Sequence, residues 1–239
     1  MNINRGTTSI REIVSLFREW AGDSSTMISQ TSNFSTRLIL RYLIMARATL
    51  LNQNLLRGAN PDRYTIQTIG CIPLEEIDLI ECPCAPASGC TWLRTQYKVP
   101  VPIGSFVNVV SIDGTIHYDY TNWSDVKYKF YSRIKGERDS PTYTVKDGYI
   151  YVHNDIHKKS LTVSGVFSDP RAPQLIDACN SRYDNCTSPL DLEFPMNVDM
   201  HSVLFETTWR TLINVKQSSN TDVRIDSQQN TGQDNLQKQ

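Results

Sequence analysis

The chain has 239 residues, 39% hydrophobic and 21% charged, with 24 Lys and Arg against 25 Asp and Glu for a formal net charge of −1. That length suffices for one large domain or two modest ones, and the near-neutral balance lacks the basic excess of a dedicated nucleic-acid binder. No apolar leader follows Met1 and no run approaches the roughly 18 uninterrupted apolar residues of a membrane span, so the expectation is a soluble protein made in a cytoplasm.

The first element is a helix. Ser9-Ile10-Arg11-Glu12 fits a capping box, and Ile10, Ile13, Val14, Phe17 and Trp20 follow at helical spacing, with Gly22 as the expected stop. A polar linker from Asp23 to Ser32 leads to a longer helix, expected from about Ser35 to about Leu55. Its apolar residues, Leu38, Tyr42, Leu43 and Leu50 among them, cover more than one face. A helix of that kind is buried on several sides, either by neighbouring subunits or as the central helix of its own core. Gly58-Ala59-Asn60-Pro61 ends it, and Tyr64 to Ile69 alternates as a strand does. Pro73 to Glu81 is ambiguous between a short helix and an irregular strand. Its carboxylates read as a solvated face, because no electrophile, metal partner or His lies nearby for acid–base work.

Six cysteines stand at 71, 82, 84, 90, 179 and 186, and a cytoplasmic origin predicts reduced thiols. Cys82, Cys84 and Cys90, with Cys71 or Cys179 as a fourth ligand, are the weak candidates for a zinc site. A single residue separates Cys82 from Cys84 and no His is close, so free thiols in a compact turn are the expectation, with no metal and no cofactor.

From Trp92 to Phe167 the chain is rich in Tyr and Val and punctuated by Asp113-Gly114 and Asp147-Gly148. Asp-Gly between alternating segments is a strong hairpin signal. About six strands are expected after Thr91–Val99, arranged as a small sandwich or barrel. Lys127, Lys129, Arg133 and Lys135 are interleaved with Tyr128, Phe130 and Tyr131, and on a strand Lys127 and Lys129 would share one face while Tyr128 and Phe130 take the other, a surface suited to nucleic acid. An ordinary half-buried strand has the same pattern. Asp169-Pro170 closes the β-region; Ala172 to Asn180 is a short helix, and a further helix begins near Asp199. Residues 217–239 are nearly devoid of apolar side chains and cannot bury enough surface to fold alone. His153 and His157 are expected in an exposed turn after a strand. The chain contains no phosphate-binding glycine loop and no GxSxG elbow, so an enzyme is not expected.

The predicted fold class is α+β: an N-terminal helical hairpin and a C-terminal helix frame an antiparallel sandwich or barrel-like domain, followed by an extended tail. The expected divisions are residues 1–60 (helical), 61–170 (β-rich, with the cysteine loop 82–90), 171–216 (helical, packing with 1–60) and 217–239 (polar tail).

The order of parts resembles a known family. A capped helix, a long apolar helix and a cysteine loop precede Trp92-Leu93-Arg94-Thr95-Gln96-Tyr97-Lys98-Val99-Pro100; then come Asp147-Gly148-Tyr149-Ile150-Tyr151-Val152, Gly165-Val166-Phe167-Ser168-Asp169-Pro170 and Glu193-Phe194-Pro195-Met196, with a last helix and polar tail. This is similar to the head–tail connector ring proteins of short-tailed bacteriophages, particularly the ring proteins of crAss-like phages and the T7-type adaptor, tail tubular protein A. The resemblance implies a structural virion protein at the head–tail junction, assembled in the host cytoplasm as a homo-oligomeric ring, commonly of twelve copies. Its implied partners are the portal and other connector or tail proteins, with non-specific contact to genomic DNA in a channel. On that reading Leu38, Tyr42, Leu43 and Leu50 pack subunits, Lys127, Lys129, Arg133 and Lys135 face DNA, and Asp222, Arg224 and Asp226 lie in a tail that docks on a partner. The alternative is a non-enzymatic β-sandwich that binds a protein or glycan through Tyr118, Tyr120, Trp123, Tyr128 and Tyr131.

Overall fold

The structure, a computed structural model, describes residues 8–23, 34–77, 92–130, 134–154, 158–176 and 188–215. In chain order its elements are β1 (Thr8–Ser9), α1 (Ile10–Asp23), α2 (Thr36–Leu56), β2 (Gln67–Ile77), β3 (Trp92–Thr95), β4 (Asn108–Ser111), β5 (Asp119–Tyr120), α3 (Val126–Phe130), α4 (Lys135–Arg138), β6 (Thr142–Lys146), β7 (Tyr149–His153), β8 (Ser160–Gly165), α5 (Arg171–Ile176) and β9 (Glu193–Phe194), then α6 over 201–215. The expected α+β class holds, with terminal helices around a barrel-like sheet.

Helices α1 and α2 start where side-chain oxygens cap them. The Ser9 hydroxyl accepts from the Glu12 N–H at 3.2 Å, and the Ser35 hydroxyl from the Leu38 N–H at 3.2 Å. Each satisfies one of the backbone donors that a helix start leaves unpaired. Gly22, the expected stop, lies within the last turn of α1. Ile10, Ile13, Val14 and Phe17 of α1 pack with Ile39, Leu40 and Leu43 of α2, Phe194 and Met196, and Leu204, Trp209 and Leu212 of α6. Elements more than 180 positions apart in the chain thus share one core, and the β1–β9 pairing, Thr8 opposite Phe194, fastens its edge.

The second core lies inside the sheet. Seven strands run in the order β4-β8-β2-β3-β7-β6-β5, all neighbours antiparallel except the β5–β6 pair. Residues 116–121 bring the two edges together. The Ser111 N–H donates to Ile116 O at 2.9 Å and the Tyr118 N–H to Val109 O at 3.0 Å on the β4 side; the Thr121 N–H donates to Tyr143 O at 2.9 Å on the β6 side. Ile69, Ile72, Val109, Tyr118, Ile150, Val152, Leu161, Val163 and Phe167 fill the interior.

Both Asp-Gly turns form, by different routes. Asp147 (φ 54°) and Gly148 (φ 85°) both take the left-handed conformation a type I′ turn demands, so Lys146 pairs with Tyr149 across a two-residue loop. At the other turn only Gly114 (φ 69°) is left-handed; the Gly114 N–H donates to Ser111 O at 2.8 Å and the glycine absorbs the extra residue as a bulge.

Two expectations are corrected. Residues 126–130 form helix α3, not a strand, so Lys127 and Lys129 do not share a pleated face. Alternation over five residues is too short to fix a period. Here the Asn122 and Asp125 carbonyls accept from the Val126 and Tyr128 N–H groups (3.2 and 3.0 Å) and start a helical turn, while Val126 is buried against Ile77 and Tyr151. His153, expected in an exposed turn, is the last residue of β7 and is buried, its ring Nε2 3.1 Å from the Thr144 hydroxyl. Pro73 to Ile77 is the irregular strand of the two alternatives, the end of β2, with a bulge between Ile69 and Ile72 where Cys71 sits at φ 53°.

Candidate assembly surface

Helix α2 sorts its arginines by face. Arg47 falls on the buried stripe with Ile39, Leu40, Leu43 and Leu51 and is 0% exposed. Its Nε donates to Pro195 O at 3.0 Å, its Nη1 donates to Phe167 O at 2.7 Å, and its guanidinium lies 5.8 Å from the Phe194 ring centre. One side chain therefore ties the helical core to the end of the barrel. Burial pushes its pKa down from 12.5 to about 10, only partly offset by Asp169, and it remains a cation at neutral pH.

Arg37 and Arg41 point outward from the same helix, one turn apart. They rim an open cleft of about 660 Å³ floored by Leu38, Ile44 and Met45 and closed on its far side by Asp169 and Arg171. Asp169 and Arg171 neutralise each other at 2.7 Å. Burial alone would raise the Asp169 pKa, but hydrogen bonds from the Arg171 side chain and backbone, with the Arg171 and Arg47 charges, hold it below the usual carboxylate value. Neither Arg37 nor Arg41 has a hydrogen-bond or acidic partner among the described residues.

The barrel presents a second charged surface. Arg94 donates to Glu75 Oε1 from Nη2 at 2.6 Å and lies 4.8 Å from the Tyr149 ring centre, with Lys98 at 5.7 Å from the same ring. Lys146 stands 4.2 Å from the Trp123 ring centre, and Trp123 meets Tyr151 edge-on at 5.0 Å. Beside this strip, residues 119–125 lead from edge strand β5 into α3. The Tyr120 hydroxyl donates to Asn122 Oδ1 at 3.1 Å, and Asp125 accepts from the Ser124 hydroxyl at 3.0 Å. Asp119, Tyr120 and Asp125 are exposed.

Of the residues singled out from sequence, Leu43 is wholly buried in the helical core, and Leu38, Tyr42 and Leu50 are half-buried against it. Met45 (51% exposed) and Leu56 (79%) are the outward apolar side chains of α2. Lys129 is half-buried on α3 and Lys135 is exposed at the start of α4. Tyr118 lies in the barrel core, unlike the exposed Tyr120 and Tyr128. Arg133, Tyr131, Cys82, Cys84, Cys90, Asp222, Arg224 and Asp226 lie outside the described residues, as does His157. Cys71 is disulfide-bonded, which departs from the expected reduced state; the other cysteines lie outside the described residues. Among the described residues no group of three or more His, Cys, Asp or Glu could hold a metal ion, and no helix is long and apolar enough to cross a membrane.

Sequence reasoning missed the inward turn of Arg47, although its position on the apolar period of α2 signals it. It also missed the Arg37–Arg41 ridge, for which the four-residue spacing was the signal.

Comparison with known families matches residues 23–235 to a model of a crAss ring family described as phage tail ring protein 2. No curated protein matches the chain.

Proposed function

The chain belongs to the phage tail ring protein 2 family of crAss-type phages, and from that membership we propose that it is one subunit of a dodecameric ring joining the portal to the tail. The coarse role is structural: a component of the virion that assembles with copies of itself and with tail partners. The finer reading is a ring that extends the DNA channel, retains the packaged genome and lets it pass on ejection. Head-to-tail association of identical subunits closes into a ring when the rotation closes. The net charge of −1 suits a conduit, because a strongly basic lumen would hold DNA through counterion release. Lys129 and Lys135, with Lys127 and Arg133, remain the proposed channel-facing cations, and Asp222, Arg224 and Asp226 belong to the tail proposed to dock on the portal or a neighbour.

The family match over most of the chain is the observation that carries this reading. A rival β-sandwich that binds through aromatic loops is less supported, since Tyr118 serves the core. The test is the mass of the purified full-length protein by light scattering, alone and with the portal of the same phage. A ring alone or on the portal is expected. A monomer indifferent to the portal would overturn the proposal.

A further inference from the structure

The arginine cleft on α2 has the makings of a socket. Arg37, Arg41 and Met45 stand at i, i+4 and i+8 on one outward ridge. Two like charges at i, i+4 destabilise a helix modestly in isolation, so an arriving carboxylate pair would relieve the ridge as well as bind to it. Arg171, the third guanidinium, is already neutralised by Asp169. Between the two unpaired cations and that closed pair lies an apolar floor, Leu38 and Ile44, with Met45 half exposed at 51%. A planar guanidinium takes a carboxylate bidentately, and a Met-bearing floor takes an aromatic ring. The chemistry that fits is therefore an aromatic side chain flanked by two carboxylates.

The chain carries that combination on its barrel. Asp119 and Asp125 bracket Tyr120, which is 55% exposed, and neither carboxylate has a cationic partner among the described residues. The loop is held in one shape by its own bonds, Tyr120 to Asn122 and Asn122 Nδ2 to Asp125 Oδ2 at 3.4 Å, and by the Thr121 N–H on Tyr143 O. Three other exposed carboxylates are already spent, Asp113 on Lys158, Asp191 on Arg11 and Glu206 on Arg210, and those left exposed elsewhere among the described residues do not bracket an exposed aromatic side chain as Asp119 and Asp125 do. A preorganised knob loses little entropy on docking.

We infer that the cleft on α2 is one half of the ring contact, and that its occupant is the 119–125 loop of the next copy of this chain. Tyr120 seats on Leu38, Ile44 and Met45 while Asp119 and Asp125 meet Arg37 and Arg41. The contact is heterologous: knob and socket are different patches of one subunit, as a closed ring of identical copies requires. This rests on the ring reading above and names the surface that makes the ring.

The test reverses each face separately and then together. With ring formation measured by light scattering, alone or on the portal, whichever condition the native chain needs, the variants are R37E/R41E, D119R/D125R and the chain carrying all four. All four positions are exposed, and a thermal melt checks that each variant is folded. Each single-face variant is expected to lose ring population by roughly a hundredfold, because like charges face each other across the contact; the four-fold variant regains it. The neutral pairs R37Q/R41Q and D119N/D125N give a second reading, with weaker loss and a ring less sensitive to salt than the native one. Native-like rings from either reversed face overturn the inference, as does loss in both without recovery in the combined chain. If R37E/R41E forms rings but no longer binds a DNA duplex that the native protein binds, the cleft is a phosphate site and the inference fails. If the native chain forms no ring in either condition, the ring reading itself falls and takes the contact with it.

Discussion

Replacing Arg47 separates the two roles of its side chain, as a tie and as a volume. Arg47→Ala orphans the Phe167 and Pro195 carbonyls and empties a fully buried site. Each orphaned carbonyl costs about 2 kcal/mol, and the cavity about 2–3 kcal/mol more. Against that stands relief from burying a cation: the fall in pKa from 12.5 to about 10 corresponds to about 3 kcal/mol by which the site disfavours the charged form. The net loss expected for Ala is about 3–4 kcal/mol. Arg47→Met orphans the same carbonyls and sheds the same charge but fills most of the space, so its expected loss is about 1 kcal/mol. Urea unfolding followed by tryptophan fluorescence measures both, since Trp209 sits in the helical core and Trp123 packs on the outer face of the barrel. Equal losses for Met and Ala would show that packing contributes nothing. An Ala variant that loses under about 1 kcal/mol would refute the tie between the two cores.

Three further outcomes follow from particular sites. His153 is buried, and that burial, helped by the nearby Lys129 charge, pushes its pKa from 6.5 down to about 4. The unfolded chain then binds the extra proton, so stability is fully present above pH 6.5 and falls by up to about 3 kcal/mol as pH drops to 4; in urea titrations across that range the His153→Gln chain should show a shallower fall, and equal slopes would refute the burial. Gly148→Ala forces a Cβ onto a backbone at φ 85°, and beside Lys98 it should cost about 1–2 kcal/mol in a thermal melt; an unchanged melt would mean the turn is not type I′. Reduction of the disulfide at Cys71, or Cys71→Ser, should lower stability by about 2–4 kcal/mol relative to the oxidised chain, and oxidised and reduced protein of equal stability would contradict the bond.

What could be read from the sequence was local. The two Asp-Gly hairpins, the Ser9 cap and the helix expected from near Asp199 each lie within a few residues of the interaction they specify; all formed, although the Asp113-Gly114 turn closes with a bulge and not as a type I′ turn. The misses were short or distant. Lys127 and Lys129 alternate with aromatics over too few residues to tell a strand from one turn of helix, and the tertiary contact of Val126 with Ile77 and Tyr151 decided it. The parallel β5–β6 pair needs the crossover through α3 and α4, and barrel closure by 116–121 needs two edges that the sequence places far apart. His153 was misplaced because the strand runs one residue beyond Val152, placing His153 in the core and not in the turn at Asn154-Asp155. On the assembly surface the acidic knob went unnoticed because its meaning depends on an opposite face, and no sequence pattern pairs Asp119 with Arg37.

Stability and assembly should therefore fail through different residues. Arg47 is enclosed and joins two cores within one subunit, so its loss acts on unfolding whether or not a neighbour is present. Arg37 and Arg41 are exposed and touch no carboxylate among the described residues, so their loss should leave the monomer's melt within about 0.5 kcal/mol of native while weakening the ring. The two variants measured side by side test whether the subunit is finished before it assembles. If R37Q/R41Q lowers both the melt and the ring, the fold completes itself only against its neighbour, and the cleft belongs to a shared core rather than to a docking surface.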